Sequence, residues 1–499
     1  MESVFKPAIV LMSGRAVGFA AAFVVPMLLA RVFGQDEFGT YKQLFLVYST
    51  LYCIAQLGMS EGLFYFLPAA PQQGGRYARN AMLVLGAAGA LCLGLLWAGQ
   101  AELARWFHNE RLIGLLPLIG AYLLTMLASS VLEIVMTARK HHGTASVTYA
   151  VTDLLRSLLL VAPVLWLRSF EWLLYGAIAF GGLRLAATLY YLRREYGPGV
   201  KADRALARSQ IAYAAPFSVY VLIEVMQINL HMYVVSFHFD AATFAIYAVG
   251  CLTLPLVDFL MSSACNVMMV GMREYLMKNA QASLLAIWRD TTRKLLLLYA
   301  PIVGCLLTVA HEVIVVLYTD RYTASIPIFM VWVVAILFVG LLTDGVLRVY
   351  AQLRFLTLLG LAKLALIALT IPWFLHWFGL IGAVLATLLT TVLTKGLALA
   401  RIKTLLRCSL AELLPWRSLA GILLAAAAAM LPALLLKSAL ELPPLPLSLM
   451  AGAVYGAAYL GLLWGYGLLT DAEKSALAGW IPRFIGLLKK TIPGFSART

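Results

Sequence analysis

An all-α polytopic membrane protein is the fold class this sequence predicts. About 14 transmembrane helices form two six-helix lobes around a central cleft, with two further helices at the C-terminal end. Three observations lead there. The 499 residues are 62% hydrophobic and only 12% charged, a balance foreign to soluble globular chains of this size. Apolar stretches of roughly 20 residues, enough to cross a bilayer, follow one another along nearly the whole chain. Lysine and arginine gather in alternate loops, as they do on the cytoplasmic side of membrane proteins.

The spans fall near 8–30, 43–67, 81–98, 112–136, 145–167, 172–192, 211–235, 244–270, 293–317, 324–348, 356–375, 379–400, 418–437 and 447–468. The first is too long, and too poor in a small-residue cleavage site, for a signal peptide. Arg15, Phe19, Ala22 and Pro26 follow one stripe of it. A short outer turn, Phe33-Gly34-Gln35-Asp36-Glu37-Phe38-Gly39-Thr40-Tyr41, leads into the second. After the seventh span comes Phe239-Asp240-Ala241-Ala242-Thr243-Phe244-Ala245-Ile246-Tyr247, whose aromatics match the first run at one offset. Six spans precede the second copy, so both halves have one orientation, the pattern of a parallel repeat with its site between lobes. The expected division is residues 1–200, 201–405 and 406–499, with the basic, Gly/Pro-broken stretch 193–210 as the linker.

Between the spans, 271–292 reads as an amphipathic surface helix, with Tyr275, Leu276, Leu284, Leu285 and Trp288 opposing Lys278, Arg289 and Asp290. The tail 471–499 has a similar pattern. The last two spans carry almost no charge except Lys437 and read as lipid-facing. Outer loops are short, with no room for the acceptor-binding domain of a membrane polymerase or ligase.

The net charge of +15 does not indicate a nucleic-acid partner. About 26 of the 38 Lys and Arg lie in one set of alternate loops, about 7 in the other and about 5 within spans. The basic loops set topology and meet anionic lipid headgroups, and they place both termini in the cytoplasm. The six cysteines form no CxxC pair, so no disulfide frame or metal site is expected. No Walker A sequence and no serine–histidine arrangement is present, so the chain reads as no enzyme and no ATPase.

Charge inside hydrocarbon is costly and usually functional. Arg156, Arg184, Glu224 and Asp258 stand near mid-depth; Arg15, Glu61, Glu133, Asp344, Lys363 and Lys395 stand toward the cytoplasmic third. Asp153 and Arg156, and Asp344 and Arg348, are spaced to share a helix face. Tyr220, Glu224, Gln227 and His231 form a polar stripe on the seventh span, and Asp258, Ser262 and Asn266 another on the eighth. Arg15, Arg156, Arg184, Lys363 and Lys395 are the candidate substrate-binding cations. Glu61, Glu224, Asp258 and Asp344 are the candidate carriers of a coupling proton or sodium ion. The structural alternative is that these charges pair and fix helix packing, and that His231 is a packed, hydrogen-bonded histidine. Prolines in many spans permit either ordinary kinks or hinges.

The run Leu28-Leu29-Ala30-Arg31-Val32-Phe33 through Tyr41 resembles the first outer turn of bacterial polysaccharide flippases. So does Ala55-Gln56-Leu57-Gly58-Met59-Ser60-Glu61-Gly62, ending in Phe66-Leu67-Pro68. These proteins form the O-antigen and exopolysaccharide branch of the multidrug/oligosaccharidyl-lipid/polysaccharide exporter superfamily. The resemblance implies a flippase that carries undecaprenyl-pyrophosphate-linked oligosaccharide from the cytoplasmic to the outer leaflet of the bacterial inner membrane by alternating access. It implies no cofactor beyond a coupling H+ or Na+. Its partners would be membrane lipids, a polysaccharide polymerase and other assembly proteins. In the second copy the turn reads Asp240-Ala241-Ala242 without the glycine pair, so the repeat has diverged there. No motif places the chain in the lipid II flippase branch. The alternatives are an ion-coupled multidrug antiporter of the same superfamily and, from a different class, a membrane-bound polysaccharide polymerase or ligase.

Overall fold

A computed structural model describes residues 18, 20–21, 23–471 and 473–475, apart from the side chains of Phe217, Val219 and Tyr220. Among the described residues the secondary structure is helical, without strands. Among the described residues eleven helices are long and apolar enough to cross a membrane, and a bent helix over 204–238 makes twelve. The chain is a multi-pass membrane protein. Most of the expected first span, with Arg15, and the tail beyond 475 lie outside the described residues.

Helices of nine or more residues are numbered here in chain order. Phe23–Val32 (α1) precedes Gln35–Ala55 (α2) and Met59–Ala69 (α3). The expected span 43–67 is therefore not one helix. Leu57 (φ 50°) and Gly58 (φ 63°) turn left-handed between α2 and α3, a conformation glycine adopts without a Cβ penalty. Gly74–Ala98 (α4), Leu115–Ser129 (α5), His142–Leu167 (α6), Glu171–Tyr196 (α7) and Arg204–His238 (α8) follow the expected spans closely. Pro216 lies at the bend of α8, where the ring removes a helix hydrogen bond.

The expected span 244–270 is likewise two elements, Ala241–Gly250 (α9) and Pro255–Met277 (α10). Proline suits the first turn of a helix because no intrahelical partner awaits its missing N–H. Next come Gln281–Thr308 (α11), Ala310–Tyr318 (α12) and Ile326–Val334 (α13). The predicted surface helix 271–292 is absent as such. It is the end of α10, a turn at Asn279 (φ 52°) and the start of α11. Part of its apolar side packs onto protein. Leu284 and Trp288 are fully buried, and Trp288 Nε1 donates to the Leu413 carbonyl at 3.0 Å. The chain closes with Leu353–Phe378 (α14), Leu380–Leu405 (α15), Trp416–Ala439 (α16) and Pro444–Gly465 (α17).

Contacts divide the chain into two compact units. One takes the described residues up to Phe259, Ile314–Ala335 and Tyr350–Ala398, and so draws on both halves of the sequence. The other comprises Leu260–Val313, Ile336–Val349 and the chain from Leu399. In this second unit Lys437 Nζ bonds Glu312 Oε2 at 2.8 Å and the Thr308 carbonyl at 2.7 Å, tying α16 to α11 and α12. Glu473 accepts both Arg293 nitrogens, at 2.7 and 3.1 Å. That guanidinium holds the Glu473 carboxyl down at about 2.

Candidate transport cavity

The two copies of the aromatic repeat meet in the first unit. Gly39 of α2 lies against the backbone of α9, so close that a Cβ on it would stand 1.8 Å from the Ala241 carbonyl oxygen. The glycine of the outer turn is thus the crossing point of the two copies. Around it Phe38, Phe244 and Tyr247 are at most 1% exposed. Phe38 also meets the Tyr322 ring edge-on, at 5.6 Å between centroids. Each copy starts its helix with a carboxylate. The Gly34 amide donates to Glu37 Oε2 at 3.4 Å, and the Thr243 amide donates to Asp240 Oδ1 at 2.9 Å. Bonds from the Thr243 hydroxyl and amide keep the Asp240 carboxyl below its ordinary range. It is ionised where it caps the helix, and the cap is lost only as the pH falls through that lowered value.

Beside this crossing is a cavity of about 360 Å³. Its walls come from α1 (Phe23, Pro26), α2 (Tyr41, Lys42, Phe45, Leu46, Ser49), α8 (Asn229, Met232), α9, the 251–254 link, Pro255 of α10 and Tyr318 of α12. Lys42 is the charged residue among these. Its ammonium stands 5.4 Å from the Phe38 ring centroid and 5.9 Å from that of Tyr41, close enough for the rings to attract it. Among the described residues no carboxylate lies within ion-pair distance of it. Buried polar bonds hold the wall in place. Gln43, fully buried, donates to Ser236 Oγ (3.0 Å) and the Phe107 carbonyl (3.1 Å) and accepts from Asn109 Nδ2 (2.7 Å). Asn229 Nδ2 donates to Thr50 Oγ1 at 2.9 Å. A cation on a rigid aromatic and hydroxyl-bearing wall is suited to an anionic group carried on an amphipathic molecule.

The residues singled out from sequence are dispersed. Arg156 and Asp153 pair at 3.1 Å on α6. Gly18 of the first span lies directly on Asp153, where a Cβ would fall 2.0 Å from Oδ2. Arg156 is in electrostatic range of Tyr41, the neighbour of Lys42, but does not line the cavity. Arg184 bonds Glu133 at 2.7 Å across α7 and the short helix Leu132–Ala138, with Glu133 only 2% exposed. Lys363 on α14 and Lys395 on α15 are half-buried outside the cavity wall. Glu61 in the first turn of α3 and Glu224 on α8 are both exposed and both within electrostatic range of Cys53. Asp258 is exposed in the first turn of α10, and Asp344 accepts from Thr343 Oγ1 at 3.0 Å in the second unit. His231 is buried and bonded through Nδ1 to the Tyr247 hydroxyl at 2.8 Å. Among the described residues no group of three or more His, Cys, Asp or Glu is placed to hold a metal ion.

Removing one partner of a buried ion pair strands the other. Arg184→Ala is therefore expected to cost about 3–5 kcal/mol of stability. Pairing Glu133→Gln with Arg184→Gln should return most of it, read as thermal unfolding of the detergent-solubilised protein. Equal midpoints for Arg184→Ala and the parent would refute the pair's structural role.

Sequence reasoning did not single out Lys42, which falls one residue before the expected span 43–67. The signal was present: Tyr41, Phe45 and Ser49 recur at four-residue spacing beside it, which places Lys42 on helix rather than loop.

The matches to known proteins agree with this architecture. A family model described as "Polysaccharide biosynthesis protein" matches residues 28–327, more than half of the chain. The chain belongs to the polysaccharide biosynthesis protein family. Its fold is shared with solved transporters and a flippase. A structure of the lipid II flippase MurJ in an inward closed conformation superposes with a TM-score of 0.68 at 13% identity, covering 92% of this chain and 98% of that one. An inward-facing multidrug resistance MATE family transporter of the MOP superfamily gives 0.56 at 13% identity, covering 80% and 99%. A MOP superfamily transporter from Pyrococcus furiosus, whose binding pocket is described as having reversed polarity, gives 0.55 at 10% identity, covering 81% and 96%. A search among curated proteins finds no match.

Proposed function

We propose that this protein flips undecaprenyl-pyrophosphate-linked oligosaccharide from the cytoplasmic to the outer leaflet of the bacterial inner membrane, for cell-surface polysaccharide assembly. The observation that carries the reading is Lys42, a cation without an ion-pair partner among the described residues, on the wall of an aromatic, hydroxyl-bearing cavity. A diphosphate needs such a cation, and the lipid and sugar need apolar and hydroxyl surface beside it. Family membership and the transporter fold support a carrier rather than an enzyme of polysaccharide assembly.

In this reading residues 1–200 and 201–405 act as lobes that open alternately, 406–499 is appended, and both termini are cytoplasmic. Arg15, Lys363 and Lys395 are the remaining candidate cations along the path, with Lys42 as the direct ligand, while Arg156 and Arg184 are held by Asp153 and Glu133 and fix helix packing. Glu61 and Glu224, gathered near Cys53, are the leading sites for a coupling proton or sodium ion, ahead of Asp258 and Asp344. Glu224→Gln is expected to slow gradient-driven transport several-fold while leaving membrane insertion intact, measured as lipid-linked oligosaccharide reaching the lumenal leaflet of inverted vesicles with and without an imposed gradient. Unchanged gradient dependence would remove Glu224 from coupling.

The multidrug antiporter is disfavoured because a cationic drug would meet lysine in this cavity and no carboxylate on its described wall. A deletion strain with later polymerisation blocked tests the main reading. Undecaprenyl-linked oligosaccharide should accumulate on the cytoplasmic face. Normal export without accumulation, in a strain free of redundant flippases, would refute it.

A further inference from the structure

A second pocket shares α2 with the lysine cavity. It encloses about 540 Å³, within the range of small-molecule sites. Glu37 and Thr40 of α2, Arg111 before α5, and Arg168, Ser169 and Glu171 of the α6–α7 link line it. Glu37 and Lys42 are five residues apart, about 8 Å along the axis and about 140° around it, so the pocket lies on a different face of α2 from the lysine cavity.

The chemistry differs from that of the lysine cavity. Two guanidiniums face two carboxylates and two hydroxyls, so donors and acceptors alternate with no surplus charge. Thr40 is buried and its hydroxyl already donates to the Asp36 carbonyl and accepts from Asn109 Nδ2, so the capacity for a ligand lies with the charged side chains. Arg111 is exposed and reaches Asp36 at 3.3 Å and Glu37 at 3.9 Å, contacts that count for little in water. Ser169 donates to Glu171. Arg168 has no carboxylate within ion-pair distance among the described residues. Its backbone is left-handed (φ 50°) where α6 ends.

We propose that this pocket is a saccharide subsite. It takes one or two neutral pyranose units, whose neighbouring hydroxyls both donate and accept. Arg111 and Arg168 donate to ring hydroxyl oxygens, and Glu37 and Glu171 accept hydroxyl protons. With two guanidiniums against two carboxylates the lining carries no net charge, which suits a neutral, hydroxyl-rich ligand. In the flippase reading, on which this assignment of cargo rests, the pocket receives the sugar head of the lipid-linked cargo.

The test uses the full chain in lipid nanodiscs and saturation-transfer NMR. The probes are galactose, rhamnose, N-acetylglucosamine, sucrose and, as the charged comparison, glucuronate. At least one neutral sugar should receive saturation on its ring protons, with a Kd in the millimolar range. Arg168→Ala and Glu171→Gln should each weaken that binding at least fivefold with unchanged thermal midpoints, and Lys42→Ala should leave it intact. Absence of saturation on every neutral sugar, saturation on glucuronate alone, or binding indifferent to both pocket variants would overturn the subsite. Sugar binding that depends on Arg168, in a protein whose deletion leaves export normal, would keep the pocket and sink the flippase. Cytoplasmic accumulation in the deletion strain without sugar binding would do the reverse.

Discussion

Replacing Lys42 with alanine is expected to lower surface polysaccharide roughly 10- to 100-fold while the protein still inserts and folds. The magnitude follows from the loss of charge-assisted hydrogen bonds to an anion, each about 1.5–3 kcal/mol, at about 1.4 kcal/mol per tenfold. Folding should survive. Among the described residues the ammonium makes no ion pair, and its attraction to the Phe38 and Tyr41 rings at 5.4 and 5.9 Å is worth only about 0.5–2 kcal/mol. Lys42→Arg keeps the charge on a wider, planar head and should retain part of the transport. Lys42→Met keeps the stem and drops the charge, and should match alanine. The assay is surface glycan per cell at equal membrane abundance. Full export in both neutral variants would show that the cavity lysine does not carry the cargo. Transport lost in Lys42→Arg as well as in Lys42→Met would instead point to shape.

Gly39→Val is the substitution expected to damage the fold most. Its Cβ would lie 1.8 Å from the Ala241 carbonyl oxygen and 2.4 Å from the carbonyl carbon. Backbone cannot swing aside as a side-chain tip does, so α2 and α9 must separate at the repeat crossing. Overpacking of this kind costs about 1–3 kcal/mol where neighbours yield, and more where the obstacle is main chain. A fall in thermal midpoint with loss of monodisperse protein should be visible by size-exclusion chromatography after heating. Gly94→Ala on α4 is the control. Nothing lies within 4 Å of its added methyl, and it should match or exceed the parent. A Gly39→Val protein as heat-stable as Gly94→Ala would mean that the two repeat copies do not pack as described. The motif glycine would then need another explanation.

Much of the fold was legible. Spans such as 145–167 and 172–192 lie within α6 and α7, because a run of apolar residues between polar turns leaves few alternatives in a bilayer, where every backbone polar group must bond internally. Helix breaks were less legible. The left-handed pair Leu57–Gly58 and the gap 251–254 interrupt stretches as apolar as their neighbours. Hydropathy reports burial in lipid and says nothing of φ. α2 starts at Gln35 rather than residue 43, with Glu37 in its first turn near the Gly34 amide, so Lys42 is a helical residue.

The site separates the two sources of information more sharply. Composition and periodicity alone determine that this chain lives in a membrane, that its helices carry internal charge, and that an aromatic turn is used twice. They determine these things because hydrophobicity and helical spacing are local properties, readable over one or two turns. Which charges pair and which stay open is decided by residues distant in sequence. Arg184 meets Glu133 across 51 residues, and Gln43 meets Ser236 across 193. No local pattern records that Arg184 is spent on Glu133 while Lys42 stands open beside Tyr41, Asn229 and Tyr318. Helix packing makes that choice: a charge removed from water must find a partner or a cavity, and only the assembled bundle decides which it gets.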